Sequence, residues 1–441
     1  MKAVSETELL PGGNELTKQS GQIPKDSMFY RFAFYGFLKN LKFFDPFIVL
    51  FFREVGLSFL QIGVLFAIRS ISTNILEIPS GIVADLMGRR RSMIISFMGY
   101  IASFIFLYFL GGVFGFAAAA MLLFAVGEAF RTGTHKAMIM DYLERNALSH
   151  LSVAYYGNTR SFSQIGSALS SVLAALLVLY TGTYRVVFLA SIVPYIINLA
   201  MMTTYPKYLD GARASSSSRF RTFLTFAKES FVDVARRPML FRTMVSSSVC
   251  SANYKISRDY LQPIIKNWAL LTPFMLVLED TQRVAIVIGI VYGLIYFMTA
   301  IAARRSSAFQ KKLKSTSRAL NVTFLLNAAV LLIAGLMIAM GQFLIAVPVL
   351  ILVFIMENLR RPMVIGYVNE IADKKKLATM LSVDSQFSTL LIAIFAPLVG
   401  YIADKAGVGM ALFTFGLLIL GAYPFSRVAS VSHEARDDEK S

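Results

Sequence analysis

Gly81-Ile82-Val83-Ala84-Asp85-Leu86-Met87-Gly88-Arg89-Arg90-Arg91 joins two long apolar runs, residues 58–84 and 92–111, and its reading decides the fold. Each run reaches the roughly 20 mostly apolar residues that cross a hydrocarbon core about 30 Å thick. Between them the chain turns within a few residues and presents three consecutive arginines, a charge density that stays in water at the edge of a bilayer. The stretch is therefore a basic hairpin between two membrane spans.

Ten more runs of this kind lie outward from it, at 30–52, 115–140, 161–180 and 185–204 before residue 205, and at 240–265, 283–303, 319–340, 343–368, 380–403 and 408–427 after it. The pattern predicts an all-α membrane protein with twelve transmembrane helices. Composition agrees. Of 441 residues, 56% are apolar and 16% charged, with a mean hydropathy of +0.62, whereas a soluble domain carries about 25% charged residues. Residues 1–28 form a polar tail without the basic start and short apolar stretch of a secretory signal.

The net charge of +17 would suggest a nucleic-acid partner in a soluble chain. Here it follows from basic loops on one face, and no nucleic-acid partner is expected. Loops after even-numbered spans hold 21 Lys and Arg, among them Arg89, Arg90, Arg91, Arg145, Arg160, Arg304, Arg305 and Lys374. Loops after odd-numbered spans hold five: Arg53, Arg185, Lys266, Arg283 and Lys405. Both termini are expected to be cytoplasmic, with the protein multi-pass in a cell inner or plasma membrane. Trp268 falls at the opposite interface, where its ring would anchor.

The longest connection, 205–238, separates a six-span half at 29–204 from a second at 239–428, with a cytoplasmic tail at 429–441. It contains the run Ser215 to Ser218. Phe220, Phe223, Leu224, Ala227, Phe231 and Val234 then recur at helical spacing opposite Arg221, Lys228, Asp233 and Arg236, the pattern of an amphipathic helix on the inner membrane surface. Pro238 suits the first turn of the seventh span. The halves resemble each other: Glu128, Arg131 and Asp141 match Glu357, Arg360 and Glu370 at an offset of 229, and Gly182 and Phe188 match Gly407 and Phe413 at 225. Such internal similarity marks a duplicated chain of two pseudo-symmetric six-helix bundles.

Of the charged residues inside the apolar runs, twelve are singled out: Lys39, Lys42, Asp45, Arg69, Glu77, Glu128, Arg131, Lys255, Arg258, Asp259, Glu357 and Arg360. Facing lipid at about 2.5–3.5 kcal/mol each, they would cost on the order of 30–40 kcal/mol. They are expected to line a polar cavity and pair with one another. Spans one, four, seven and ten carry most of them, span two the rest. Lys39, Lys42 and Asp45 are spaced i, i+3, i+6 and are expected to share one stripe of the first helix, and Glu128 and Arg131 to pair along the fourth. Ion pairs that merely hold helices together explain single pairs better than the whole set.

The hairpin Gly81, Asp85, Gly88, Arg89, Arg90 resembles the signature loop of the major facilitator superfamily, which runs Gly, three residues, Asp, a basic residue, any residue, Gly and a basic run; Leu86 replaces the first basic residue. The resemblance covers residues 29 to 428. It implies two six-helix bundles rocking about a cavity lined by helices one, four, seven and ten. It also implies a conformational latch at Gly81, Asp85, Gly88, Arg89 and Arg90, with Asp141 as a partner. The equivalent loop after the eighth span keeps Arg304 and Arg305 but no acid. Some drug exporters carry Gly-Pro in helix five; Gln164-Ile165-Gly166 stands here, against drug efflux. Arg131-Thr132-Gly133-Thr134-His135 partly resembles the family's fourth-helix arginine motif linked to proton coupling.

No Gly-rich phosphate loop ending in Gly-Lys-Ser/Thr is present, which disfavours ATP as the energy source. Neither His-Glu-x-x-His nor a nucleophile elbow appears, so an enzyme is not expected. Cys250 alone and histidines at 135, 150 and 433 give no metal-ligand spacing, and no cofactor is expected. The expectation is a secondary transporter, acting as a monomer on a small anionic or zwitterionic solute, because seven cations face five acids. A proton is the expected coupling ion, with Glu128 and Glu357 the first candidates to carry it, then Asp45, Glu77 and Asp259. Export is favoured over uptake because exporters are common among similar chains. Multidrug efflux, solute uptake and a transporter-fold sensor or scaffold without flux are the alternatives.

Overall fold

No water reaches the backbone N–H and C=O groups in a bilayer core, so a chain this apolar folds as helices that satisfy those groups internally. The computed structural model describes residues 23–210, 234, 236–271, 273, 276–371 and 377–429, and no strand occurs among them. Span one comprises α1 (Ser27–Lys39) and α2 (Ile48–Glu54). Spans two and three are α3 (Phe59–Met87) and α4 (Arg89–Leu110), and span four is α5 (Phe114–Arg131) with α6 (Thr134–Arg145). Then follow α7 (Ser152–Thr181), α8 (Val186–Thr203), α9 (Pro238–Leu271), α10 (Asp280–Lys312), α11 (Thr316–Ala339) and α12 (Phe343–Ile371) as spans five to ten. Spans eleven and twelve are the two arms of α13 (Leu377–Gly421), divided at Gly407, whose φ is 84°. A last turn, α14 (Tyr423–Ser426), ends the described helices.

Among the described residues, nine stretches are long and apolar enough to cross a membrane unaided. Divided span one and polar-rich α9 fall outside that measure, and the arms of α13 enter it as one. The seventh span starts at Pro238, as expected. The fifth starts at Ser152 rather than 161, which moves Arg160 from a loop into a helix. Trp268 packs half-buried against the main core. The expected amphipathic helix at Phe220 to Phe231 lies outside the described residues, as do Lys374 to Lys376 and both tails beyond 23 and 429.

Two helices depart from the expected continuity, and both departures bear on the site. The first span stops at Lys39 and resumes at Ile48, so Lys42 and Asp45 sit on a non-helical segment and the single stripe of three charges does not form. Its freed backbone groups find side chains instead. Gln262 of span seven accepts from Val49 N (2.9 Å) and donates to Asp45 O (2.9 Å), and Tyr195 donates to Lys39 O (3.2 Å). This is how a broken helix survives at membrane depth. The fourth span breaks after Arg131, where Gly133 takes φ 81° before α6 begins.

The bundles meet along two helix pairs, α3 with the first arm of α13 and α7 with α10. Small residues bring the backbones together. A Cβ on Gly63 would lie 2.3 Å from Ala396 O, and one on Gly400 2.4 Å from Phe59 O. Polar bonds between described residues cross the bundles in the half remote from the basic hairpin: Asp45 with Arg258 and Gln262, Val49 N with Gln262, Asp404 with Phe59 N and Leu60 N, and Gln282 with Leu179 O. These bonds tie the bundles together on that far face, beside a groove of about 710 Å³ between Arg53 and Phe59 of one bundle and Lys266 and Ala403 of the other.

Candidate functional site

A cavity of about 660 Å³ occupies the hairpin half of the molecule. Its walls come from α1 (Tyr35, Lys39) and its cap Asn40, α5 and α6 (Glu128, Arg131, His135, Lys136) and α7 (Tyr156, Arg160, Gln164); Arg361 of α12 contributes from the other bundle. The break at Thr132 and Gly133 lets the wall turn there, so that both Arg131 and His135 reach the space. Arg131 donates to the Glu128 carboxylate and, through Nε, to the Tyr100 hydroxyl at 3.1 Å; Tyr100 in turn donates to Glu128. Tyr35 stacks on His135 with centroids 3.6 Å apart, and Lys136 lies 5.6 Å over the Tyr156 ring.

Of the twelve charges chosen from sequence, Lys39, Glu128 and Arg131 line this cavity. Asp45 and Arg258 form a 3.0 Å ion pair across the bundles on its far side. Asp259 borders a void of about 10 Å³, room for about one water, with Phe59, Ile62 and Phe66. Arg69 stacks its guanidinium on Phe66 (4.9 Å) and Phe124 (5.5 Å). Lys42 and Glu77 are half-buried, and Lys255 is exposed. Glu357 and Arg360 do not join them. Both are buried inside the second bundle, where Arg360 donates to Ser246 Oγ (2.6 Å), Leu320 O (2.6 Å) and Thr323 Oγ1 (3.1 Å), and Glu357 accepts from Ser251 (3.0 Å). Both terminal nitrogens of this guanidinium bond protein oxygens, while its buried Nε has no hydrogen-bond partner among the described residues, and the pair sits within the bundle apart from the cavity. Sequence reasoning missed Arg361, one position on, as well as Tyr35, Tyr100, His135, Lys136 and Arg160.

At the hairpin, Arg89 lies 3.8 Å from Asp141 and donates to Ala137 O (3.3 Å), while Asp141 also accepts from Arg145 (3.2 Å). Arg90 binds Asp210, an acid the sequence reading passed over, through Nε (3.1 and 3.2 Å) and its backbone N (3.0 Å), and donates to Tyr205 O (2.9 Å). Asp210 sits against Gly88, whose φ is 94° and where a Cβ would meet Asp210 Cγ at 2.9 Å; only glycine fits both the angle and the approach. Gly81 is exposed and Asp85 half-buried on the last turns of α3.

Two helical bundles, bonded to each other on one face and enclosing a charged cavity toward the other, define a membrane carrier of the secondary class. The sequence profile of the Major Facilitator Superfamily matches residues 31–392, and the chain belongs to that family. It is 21% identical over 405 residues to the uncharacterized MFS-type transporter YxaM of Bacillus subtilis (strain 168), covering 89% of this chain and 93% of that one. Among solved structures, the nucleoside transporter NupG superimposes with a TM-score of 0.68 at 11% identity over 91% of this chain and 98% of its own. A POT family transporter in complex with 5-aminolevulinic acid gives 0.65 at 13% identity, covering 90% and 96%. The peptide transporter POT in complex with sulfate gives 0.63 at 14%, covering 95% and 100%. The likeness in these structures is of fold.

Proposed function

We propose that this transporter carries a small organic anion or zwitterion together with a proton by alternating access, with the hairpin face cytoplasmic. The charge of the cavity carries the reading. Among the described residues, Lys39, Arg131, Lys136, Arg160 and Arg361 line it against one carboxylate, Glu128, and a cleft of one sign concentrates solutes of the other. Glu128 and an anionic solute compete for Arg131. Once protonated, Glu128 no longer neutralises the guanidinium, which is then available to a carboxylate or phosphate in bidentate geometry. Proton and anion therefore load together. The Tyr35 and His135 rings supply an apolar flank for the solute's carbon frame. Asp45 with Arg258 gates the far face, and Arg69, Asp259, Lys42, Lys255 and Glu77 serve the path beyond the loading site.

Export, expected from the frequency of exporters, rested on no side chain; a proton that travels with its anion supports uptake instead. The path lies within one chain, which supports function as a monomer. The test is flux into proteoliposomes under an imposed pH gradient, across a panel of carboxylates, phosphates, amino acids and peptides. Uptake of at least one anion driven by acid outside is expected, and Glu128→Gln should keep exchange while losing the pH response. Flux of none of the panel, or anion flux indifferent to the gradient, sinks the reading; a sensor without flux would give the first result.

A further inference from the structure

The two helices that pack most closely across the bundles end in the same pattern at opposite faces. Span two closes with Gly81-Ile82-Val83-Ala84-Asp85-Leu86-Met87-Gly88, and span eleven with Gly400-Tyr401-Ile402-Ala403-Asp404-Lys405-Ala406-Gly407. Both terminal glycines hold left-handed φ, 94° at Gly88 and 84° at Gly407, and each links its span directly to the next. Span two runs toward the hairpin face and span eleven away from it, so each copy arrives at the N-terminal end of the other helix. At the far face the arrival is visible. Asp404 Oδ1 accepts from Phe59 N and Oδ2 from Leu60 N, both at 2.8 Å. Ser58 Oγ takes Gln61 N (3.2 Å) and Gln61 takes Ser58 N (2.9 Å), so every N–H from 58 to 61 has an acceptor, and two of the four acceptors belong to the opposite bundle.

We propose that Gly400 to Gly407 is a second latch, the far-face counterpart of the hairpin motif, and that Asp404 holds the far face shut by capping span two across the bundles. A helix N-terminus carries partial positive charge and unpaired donors, so a carboxylate placed there binds without desolvating a partner side chain and releases as a unit when the helices part. Rocking the bundles open at the far face withdraws span two's first turn from Asp404. The capping box of Ser58 and Gln61 stays within span two and keeps that helix start intact through the change. The inference concerns the balance of states and holds whatever solute is carried.

The test uses purified protein in detergent, where reagents reach both faces, in a Cys250→Ser background. Gln164→Cys reports the hairpin-side cavity and Ile256→Cys, 1% exposed in this state, reports the far side. In the parent, a charged maleimide should label the first and spare the second. Asp404→Asn should raise labelling at 256 and lower it at 164, changing their ratio by about 3- to 30-fold, the range for loss of a helix cap. Asp404→Glu should restore the parent ratio, and Asp85→Asn should move the ratio the opposite way. A lower melting temperature with an unchanged ratio would make Asp404 a structural cap and overturn the proposal. So would labelling that rises at both reporters, or Asp85→Asn and Asp404→Asn moving the ratio the same way.

Discussion

Glu128 with Arg131 and Glu357 with Arg360 are the same pair at the same place in two halves of one duplicated chain, yet they end in opposite surroundings. The first pair lines the cavity of about 660 Å³, and the second is buried in the second bundle with Arg360 only 1% exposed. The residues two places beyond each arginine account for the divergence. At the same offset of 229, Gly133 stands in one half and Pro362 in the other. Gly133 adopts φ 81° and breaks its helix, turning the wall toward the cavity. Pro362 sits inside α12, which runs on to Ile371. The charged pair occurs in both halves; the backbone beyond it decides whether the pair borders the cavity or is buried among helices.

The largest separation between the pairs should appear when each arginine is removed. Arg360→Ala strips donors from Ser246, Leu320 O and Thr323 and leaves Glu357 buried without its neighbouring cation. Loss of one member of a buried charge group costs about 3–5 kcal/mol, so thermal unfolding of the purified protein should drop by many degrees. Arg131→Ala should leave that melting curve within about 1 kcal/mol of the parent, because the side chain borders water, while abolishing proton-driven flux. Equal stability losses in the two variants would erase the distinction.

The same contrast explains what the sequence could reveal. Buried charge is expensive in lipid, so the apolar runs exposed Lys39, Glu128 and Arg131 as cavity residues by their rarity alone. The hairpin gave Gly88, Arg89 and Arg90 because a positive-φ turn and a basic edge leave a local pattern. Arg361 was illegible for the opposite reason. Both it and Arg360 lie in the same apolar run, and only the helix phase, fixed by packing against α9 and α11, sends one inward and the next to the cavity. Asp210 and Gln262 pair with residues 120 and 213 positions away, through contacts no local window contains. The break in span one likewise depends on Gln262 from the other half. Arg160 was lost to a helix start misplaced by several residues.

Arg361 offers the next test, one step smaller. Since it lines the cavity from the second bundle, Arg361→Gln should raise the KM for an anionic solute about 10- to 100-fold, the loss of one charge-assisted contact of about 1.5–3 kcal/mol. Stability should hardly change. The neighbouring Arg360→Gln should do the reverse, lowering stability with a far smaller effect on KM in whatever fraction folds. If both act on KM alike, the two arginines are not sorted by helix phase as the packing indicates.

The smallest effects test the backbone itself. Gly133 has no atom within 4 Å of an added Cβ, so Gly133→Ala meets no steric obstacle; its cost is conformational, about 1 kcal/mol for an L side chain held at positive φ. Gly366, on unbroken α12 and equally unobstructed, has helical neighbours on both sides. There Gly366→Ala should stabilise the protein by up to about 1 kcal/mol, as alanine does in a helix interior. Two identical substitutions, one in each half, should therefore shift the melting temperature in opposite directions. Opposite signs would show that the broken fourth helix and the intact tenth are set by backbone preference at these positions. A stabilising Gly133→Ala would mean that the fourth span prefers to run straight, and that the turn presenting Arg131 to the cavity is imposed by its neighbours.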